Sequence, residues 1–261
     1  MSDVQKKSTL IIGLGEVGGP LLTVLQRRHP GTIGIDIEPA LVNTQIDIMH
    51  VCFPFVSQDQ FQDAVASYAR KYTPEVIVIN STVVPGTTRA IEVVCGIPCV
   101  YSPIRGKHSK MLDELCTYVK FVAGTSATAT ERVLEHFKSA GMRSETMSSP
   151  ETLELAKLLE TTYFGLLIAW AQEMNRFAQD VNADYQEIGQ FFREVSYLPG
   201  VLFQPGHIGG HCVMPNIELL QQQFQSDFLS AIKTSNDLRR NELEAEDQQP
   251  ADNRLQPLTL K

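Results

Sequence analysis

Thr9-Leu10-Ile11-Ile12-Gly13-Leu14-Gly15-Glu16-Val17-Gly18 decides the fold of this chain. Four residues of buried-strand type run into a G-x-G-x-x-G. A helical pattern follows through Leu21, Leu22, Val24 and Leu25 and ends at Arg27-Arg28-His29-Pro30. A second strand reads over 32–35 and closes on Asp36, an acid 18 residues past the third glycine. Three glycines alone are a weak signal. Between a strand and a helix, with an acid at that distance, they form the dinucleotide fingerprint. The glycines let a pyrophosphate reach the helix N-terminus, where N–H groups and the dipole favour it. Asp36 would accept from the ribose hydroxyls. Gly13, Gly15, Glu16, Val17, Gly18 and Asp36 are therefore the candidate cofactor residues. NAD is the expected cofactor, because Asp36, with Glu38 nearby, would repel the phosphate of NADP.

Working outward, strands and helices alternate. The third strand, 46–55, follows so soon after Asp36 that the usual intervening helix is missing or tiny. A helix reads over 58–72 and a strand over 75–79. Ser81-Thr82-Val83-Val84-Pro85-Gly86-Thr87-Thr88 comes next, at a carboxyl strand end, the edge of a parallel sheet where ligands bind. Ser81 and Thr82 can touch cofactor or substrate there; equally, the hydroxyls can cap the helix over 88–94. A strand over 98–101 leads to Ser102-Pro103-Ile104-Arg105-Gly106-Lys107-His108. Arg105, Lys107 and His108 are candidate substrate contacts, set against the commoner fate of a solvated loop. A strand over 120–123, a helix over 128–140 and a strand over 143–147 complete an α/β, doubly wound, Rossmann-like parallel sheet over 1–149.

Pro150 opens a different regime, an all-helical domain over 150–245. Its long connecting helix, 151–181, repeats Leu155, Leu159, Tyr163, Leu166, Trp170, Met174, Phe177 and Val181 at steps of three and four. Its middle is apolar nearly all round, which predicts a homodimer through this helix. Lys157 and Thr161 share one face; Lys157 is either a snorkelling lysine or a catalytic amine. A further helix reads over 226–240. From Glu242 onward a frayed tail is expected, with 246–261 disordered.

The most specific chemistry sits in Gly206-His207-Ile208-Gly209-Gly210-His211-Cys212, bracketed by Pro205 and Pro215. Glycines let a substrate approach the backbone, and N–H groups beside a thiol can stabilise an oxyanion. That suits a nucleophilic cysteine; a small buried Cys in a glycine loop is the bland alternative. His207, Gly209 and His211 are the candidate substrate contacts. A metal site of His207, His211 and Cys212 lacks the carboxylate or spaced ligands such a centre needs, so no metal is expected.

Bulk properties narrow the partners. The chain has 261 residues, 43% of them apolar, enough for a normal core. Lys and Arg number 22 against 30 Asp and Glu, a net charge of −8. That argues against nucleic acid. No apolar run approaches membrane-spanning length, and the polar start carries no signal-type cleavage site. Five cysteines give no disulfide framework. A reduced, cytoplasmic setting and a small-molecule substrate are the expectation.

These segments resemble, in order, the UDP-glucose/GDP-mannose dehydrogenase family, especially its UDP-N-acetylmannosamine dehydrogenase branch. The matching pieces are the Gly13–Gly18 fingerprint, Ser81-Thr82-Val83 with Pro85-Gly86-Thr87-Thr88, and Ser102-Pro103. Glu154-Leu155-Ala156-Lys157-Leu158-Leu159-Glu160, Gln204-Pro205-Gly206 through Cys212, and Ser235-Asn236-Asp237 follow. The resemblance implies oxidation of a primary alcohol on a nucleotide sugar to a carboxylate, in two hydride transfers to NAD. A cysteine, matched by Cys212, traps the aldehyde as a thiohemiacetal that becomes a thioester. Lys157 matches the family's active-site lysine, and Thr82 its threonine loop.

Three positions depart from the family. It has Asp four residues after the cysteine, where this chain has Asn216. It has Asn four after the lysine, where this chain has Thr161. It has Glu near Ser-Pro, where this chain has Ile104. Asn216 cannot take a proton. The family continues into a second nucleotide-holding domain, and the sequence is expected to lack it, hence a non-standard substrate without the nucleotide handle. That substrate is expected between the sheet's carboxyl edge, the 102–108 loop and the 206–212 loop. Two alternatives stay open: a two-electron β-hydroxyacid-type dehydrogenase using Lys157, and an NAD-binding sensor or partner without turnover.

Overall fold

A computed structural model describes residues 8–37, 42–106, 110–198 and 201–247. Lys107, His108 and Glu38 lie outside the described residues, as does the expected tail beyond 247. The chain divides into two compact units, one ending at Leu158 and one starting at Leu159.

The first unit contains β1 (Ser8–Ile12), α1 (Gly18–Gln26), β2 (Ile33–Ile35), β3 (Ile46–Val51), α2 (Gln58–Tyr72), β4 (Val76–Ile79) and α3 (Thr87–Cys95). It continues with β5 (Cys99–Tyr101), α4 (Met111–Thr117), β6 (Lys120–Gly124), α5 (Ala127–Ser139) and β7 (Ser144–Thr146). It also takes the first turns of α6 (Pro150–Asp180). The strands form one sheet in the order β2-β1-β3-β4-β5-β6-β7. No element is described between β2 and β3, and β3 lies on the far side of β1 from β2. The crevice between β1 and β3 is thus the switch point of the sheet, the place where such sheets bind ligands.

One pairing corrects the uniformly parallel reading: β6 runs antiparallel to β5. The chain leaves β5 through α4, only 7 residues long, which packs on the α1 side of the sheet, and it turns back into β6 without completing a crossover. The 13-residue α5 restores a parallel step to β7. β3 also stops at Val51 rather than 55, ahead of Pro54, which has no amide to donate to a ladder. Side chains alternate between two cores. Leu10, Ile12, Met49, Ile77 and Ile79 pack with α2 and α3. Ile11, Ile48, Val78, Val100 and Val122 pack with α1, α4 and α5.

The second unit holds the rest of α6, then α7 (Tyr185–Arg193), α8 (Val213–Gln223) and α9 (Asp227–Asp247). Asp184 caps α7, accepting from the amides of Gln186 and Glu187. A Cβ on Gly165 would come within 2.5 Å of Val213, so glycine there lets α8 lie close against α6. Among the described residues the fraying expected from Glu242 is not seen. α9 continues to Asp247, Glu242 pairs with Arg176 and Arg239, and Glu246 pairs with Arg239.

Candidate functional site

The glycine loop is shaped by close approach. Gly13 has φ +89° and its N–H donates to Ile35 O at 2.8 Å; a Cβ there would lie 2.9 Å from Phe53 N. A Cβ on Gly18 would sit 1.8 Å from Gly13 O. Both positions are glycine for packing. Gly15 differs: a Cβ there meets nothing within 4 Å, so its backbone faces open space that a ligand can enter. Glu16 and Val17 complete the turn, and no side chain caps α1 and no acid lies in its first turn. Leu14 N–H donates to Asp36 Oδ1 at 3.4 Å, which brings the exposed acid to the loop. Open backbone, an uncapped helix start and an acid beside them fit the dinucleotide group the sequence implies.

The hydroxyl loop lies at the carboxyl end of β4. Ser81 is buried and donates to Phe53 O at 2.6 Å, tying the loop to the end of β3. Thr82 beside it is half-buried. Gly86, at φ +96°, caps α3 by its backbone with no side-chain bond. The cap is supplied from α6 instead. Glu154, fully buried, accepts from Gly86 N at 2.6 Å, Thr88 N at 2.8 Å and Thr88 Oγ1 at 2.6 Å. Burial pushes its carboxyl up, and the Thr88 and Gly86 donors pull against that shift. Glu154 was not among the sequence candidates; an acid one turn before Lys157 in an apolar helix was the signal. Lys157 itself is half-buried.

Arg105 does not stand free in its loop. Its guanidinium donates to Val119 O at 2.9 Å and lies over the rings of Tyr118 and Phe121. Ile104 is buried in the core with α1, α4 and α5.

In the second unit, Cys212 is exposed and stands at the N-cap of α8. His207, Gly209 and His211 are exposed around it, and Gly210 has φ +80°. Between them Ile208 is buried, and its backbone is clamped twice: its N–H donates to Asn236 Oδ1 at 2.7 Å and its carbonyl accepts from Asn236 Nδ2 at 3.0 Å. Gln172 Nε2 donates to Gly206 O at 2.7 Å. The thiol loop is thereby fixed from both α6 and α9, by two buried amides that the sequence reading did not assign. Asn216, buried in the first turn of α8, donates to Thr161 Oγ1 at 2.7 Å. Two of the three positions that depart from the resembled family thus meet each other. Among the described residues no group of three or more His, Cys, Asp or Glu is placed to hold a metal, and no helix is long and apolar enough to cross a membrane.

Residues 151–238 match the UDP-glucose/GDP-mannose dehydrogenase family, central domain. A UDP-N-acetyl-D-mannosamine dehydrogenase of Methanococcus maripaludis is 24% identical, over 90% of this chain and 66% of that protein. The chain spans about two thirds of the length of the first curated relatives it matches. In fold it is similar to the UDP-N-acetyl-mannosamine dehydrogenase Cap5O from Staphylococcus aureus, at TM-score 0.78, 17% identity and 93% of this chain against 70% of that one. It is similar as well to a Mycobacterium tuberculosis 3-hydroxyisobutyrate dehydrogenase, at TM-score 0.69, 12% identity and 91% of this chain against 94% of that one. An α/β sheet of Rossmann-like topology thus precedes the stretch, residues 151–238, that matches the UDP-glucose/GDP-mannose dehydrogenase family, central domain.

Proposed function

We propose that this chain is an NAD-dependent dehydrogenase of the nucleotide-sugar dehydrogenase kind, which takes a primary alcohol or its aldehyde and uses Cys212 as a nucleophile. The observation that carries this reading is an exposed thiol at a helix start, in a glycine loop whose backbone Asn236 and Gln172 lock, inside the matched domain. NAD would be held at its pyrophosphate by the Gly13–Gly18 loop and at a ribose by Asp36, and its nicotinamide would supply a hydride acceptor. Cys212 Sγ adds to the aldehyde carbon, and the carbonyl oxygen takes the proton, giving a thiohemiacetal. Amides at the start of α8 stabilise the developing oxyanion. Lys157 handles protons, because Thr161 and Asn216 are both neutral. Thr82, half-buried at the carboxyl edge of the sheet, would contact the bound cofactor. The partner is a second copy of this chain, packed through α6, whose Tyr163, Trp170 and Phe177 are 55, 52 and 56% exposed.

The test counts NADH formed per molecule of substrate across free alcohols, aldehydes and nucleotide sugars. Two NADH falling to one in Cys212→Ser supports the thioester route. A second reading, the two-electron β-hydroxyacid type with Lys157 as acid/base, draws on the neutral Asn216–Thr161 pair and on the fold shared with the 3-hydroxyisobutyrate dehydrogenase. It predicts one NADH for both proteins and a dead Lys157→Ala. Tight NAD binding without turnover on any substrate would sink both in favour of a sensor.

A further inference from the structure

A row of polar side chains crosses four adjacent strands of the sheet where its interior should be apolar. His50 of β3, Asn80 just past β4, Ser102 just past β5 and Lys120 of β6 are 0, 2, 0 and 4% exposed. Each stands two residues from Ile48, Val78, Val100 and Val122, which belong to the core with α1, α4 and α5. With side chains alternating along a strand, all four lie on that one face.

The bonds along the row have a fixed direction. The Ser102 carbonyl can only accept, and it takes Asn80 Nδ2 at 2.6 Å and Lys120 Nζ at 2.5 Å. Asn80 must then turn its oxygen to His50, so His50 Nδ1, 2.9 Å away, carries the proton. Burial holds His50 well below its ordinary pKa, helped by His136 and Lys120, so the ring is neutral and its Nε2 is bare. His136 Nε2, 3.3 Å away, donates to it. Beyond His136 the row reaches His29, stacked at 5.4 Å, and a surface cavity of about 610 Å³ also lined by Arg28 and Ser139. Cys52 adds an S–H to Asn80 Oδ1 at 3.7 Å.

At the other end, Lys120 Nζ also donates to Pro103 O at 2.9 Å and lies 5.1 Å from the centre of the Phe137 ring. Carbonyls and an aromatic face are poor compensation for the lost hydration of a buried ammonium. The loop it holds is tied at two more points, one in β6 and one at the residue before it. Ser102 Oγ donates to Phe121 O at 2.8 Å, and Arg105 donates to Val119 O.

We propose that Lys120 and Asn80 are positioning residues for substrate: by holding the carbonyls of Ser102 and Pro103 from beneath, they fix where Ile104 and Arg105 stand at the carboxyl edge of the sheet. The substrate role of that loop rests on the dehydrogenase reading above; the ordering of the loop does not. Burial brings the Lys120 amine down to about 7, with Cys52 opposing and Lys157 and Arg105 assisting. Its grip on the two carbonyls is therefore strongest below that pH and weakens above it.

Amide hydrogen exchange at Ile104, Arg105 and Gly106 tests this in the full chain. Lys120→Met keeps the side-chain length and removes the donors. It is expected to speed exchange at these amides about tenfold or more, to leave the β1–β4 amides and NAD binding unchanged, and to raise KM more than it lowers kcat. Unchanged exchange in the loop would overturn the proposal. Wild type provides a measurement that needs no variant: after correction for intrinsic rates, protection of these amides is expected to fall between pH 6 and 8.5, and a flat profile overturns the proposal. Wild type that orders its loop but turns over no alcohol or aldehyde would count against the dehydrogenase reading alone.

Discussion

The side-chain amide of Asn216 donates to the hydroxyl of Thr161 across 2.7 Å, and neither partner can accept a proton from water. Asn216→Asp puts a carboxylate where Thr161 can donate to it. If hydrolysis of an acyl enzyme limits turnover, this change is expected to raise the steady rate by about a hundredfold, the scale of one general base. The readout is NADH release, as a burst in wild type and a faster linear phase in the variant. A steady rate unchanged or lower in Asn216→Asp would count against hydrolysis as the slow step.

Cys212 should be the first thiol to react with iodoacetamide at neutral pH. It is exposed, while burial pushes the Cys52 thiol up to about 12, raises Cys95 and raises Cys99 well above its ordinary value. Alkylation needs both access and thiolate. Peptide mass spectrometry over time should show Cys212 labelled first and protected by bound aldehyde. Labelling led by Cys95 or Cys116 would contradict this.

Glu154→Ala should destabilise the fold by about 3 kcal/mol, because it strands donors on Gly86 and Thr88 in a buried place. Glu154→Gln, which keeps one acceptor, should cost less. Urea midpoints of the two variants, at equal m-value, give the comparison. Equal and small losses would mean the α3 cap is made by water.

Acid should unfold the chain partly through His136. Burial, with the charge of His29, pushes its pKa down to about 4 from 6.5. Below 6.5 the unfolded chain takes up a proton that the folded chain refuses. Stability is complete above 6.5 and declines as the pH falls toward 4, and His50 acts in the same direction. Replacing His136 by Phe removes this share. The stability advantage of wild type over His136→Phe should therefore shrink by roughly 2–3 kcal/mol between pH 7 and 4. A constant difference would exclude the effect.

Tyr163, Trp170 and Phe177 recur every seven residues along α6, and all three are more than half exposed. A contiguous apolar stripe of this kind marks an association surface. Light scattering at micromolar concentration should give a dimer, and Trp170→Glu a monomer. A wild-type monomer would leave the stripe to another partner.

Much of the fold could be read from sequence because strong periodicity and clear stops coincide. α2 begins and ends where its pattern does, with Ser57 capping through Gln60 N. The early arrival of β3 leaves little room for the usual connecting helix, and none is described among the residues between β2 and β3. The short helices escaped. α4 has only 7 residues. In α8, Pro215 reads as a loop bracket, yet a proline in the first helical turn loses no intrahelical bond. For α7 the signal was present and unused: Asp184 followed three residues later by Glu187 is a capping pattern. Of the site, Cys212, Lys157 and the glycines announce themselves by residue type. Glu154, Gln172, Asn236 and Lys120 do not, because their importance lies in which distant backbone groups they reach.

Asn236 offers Ile208 one acceptor and one donor, side by side and coplanar, the same pair a neighbouring strand would present. A side-chain amide on a helix thus imitates a peptide bond and sets the register of the thiol loop. Few residues can play that part. Gln carries the same amide one methylene further out. Asp has the right length but only acceptors, so it could face the Ile208 carbonyl only by keeping its own proton, and the loop that presents Cys212 would then be ordered in acid and loosened near neutrality.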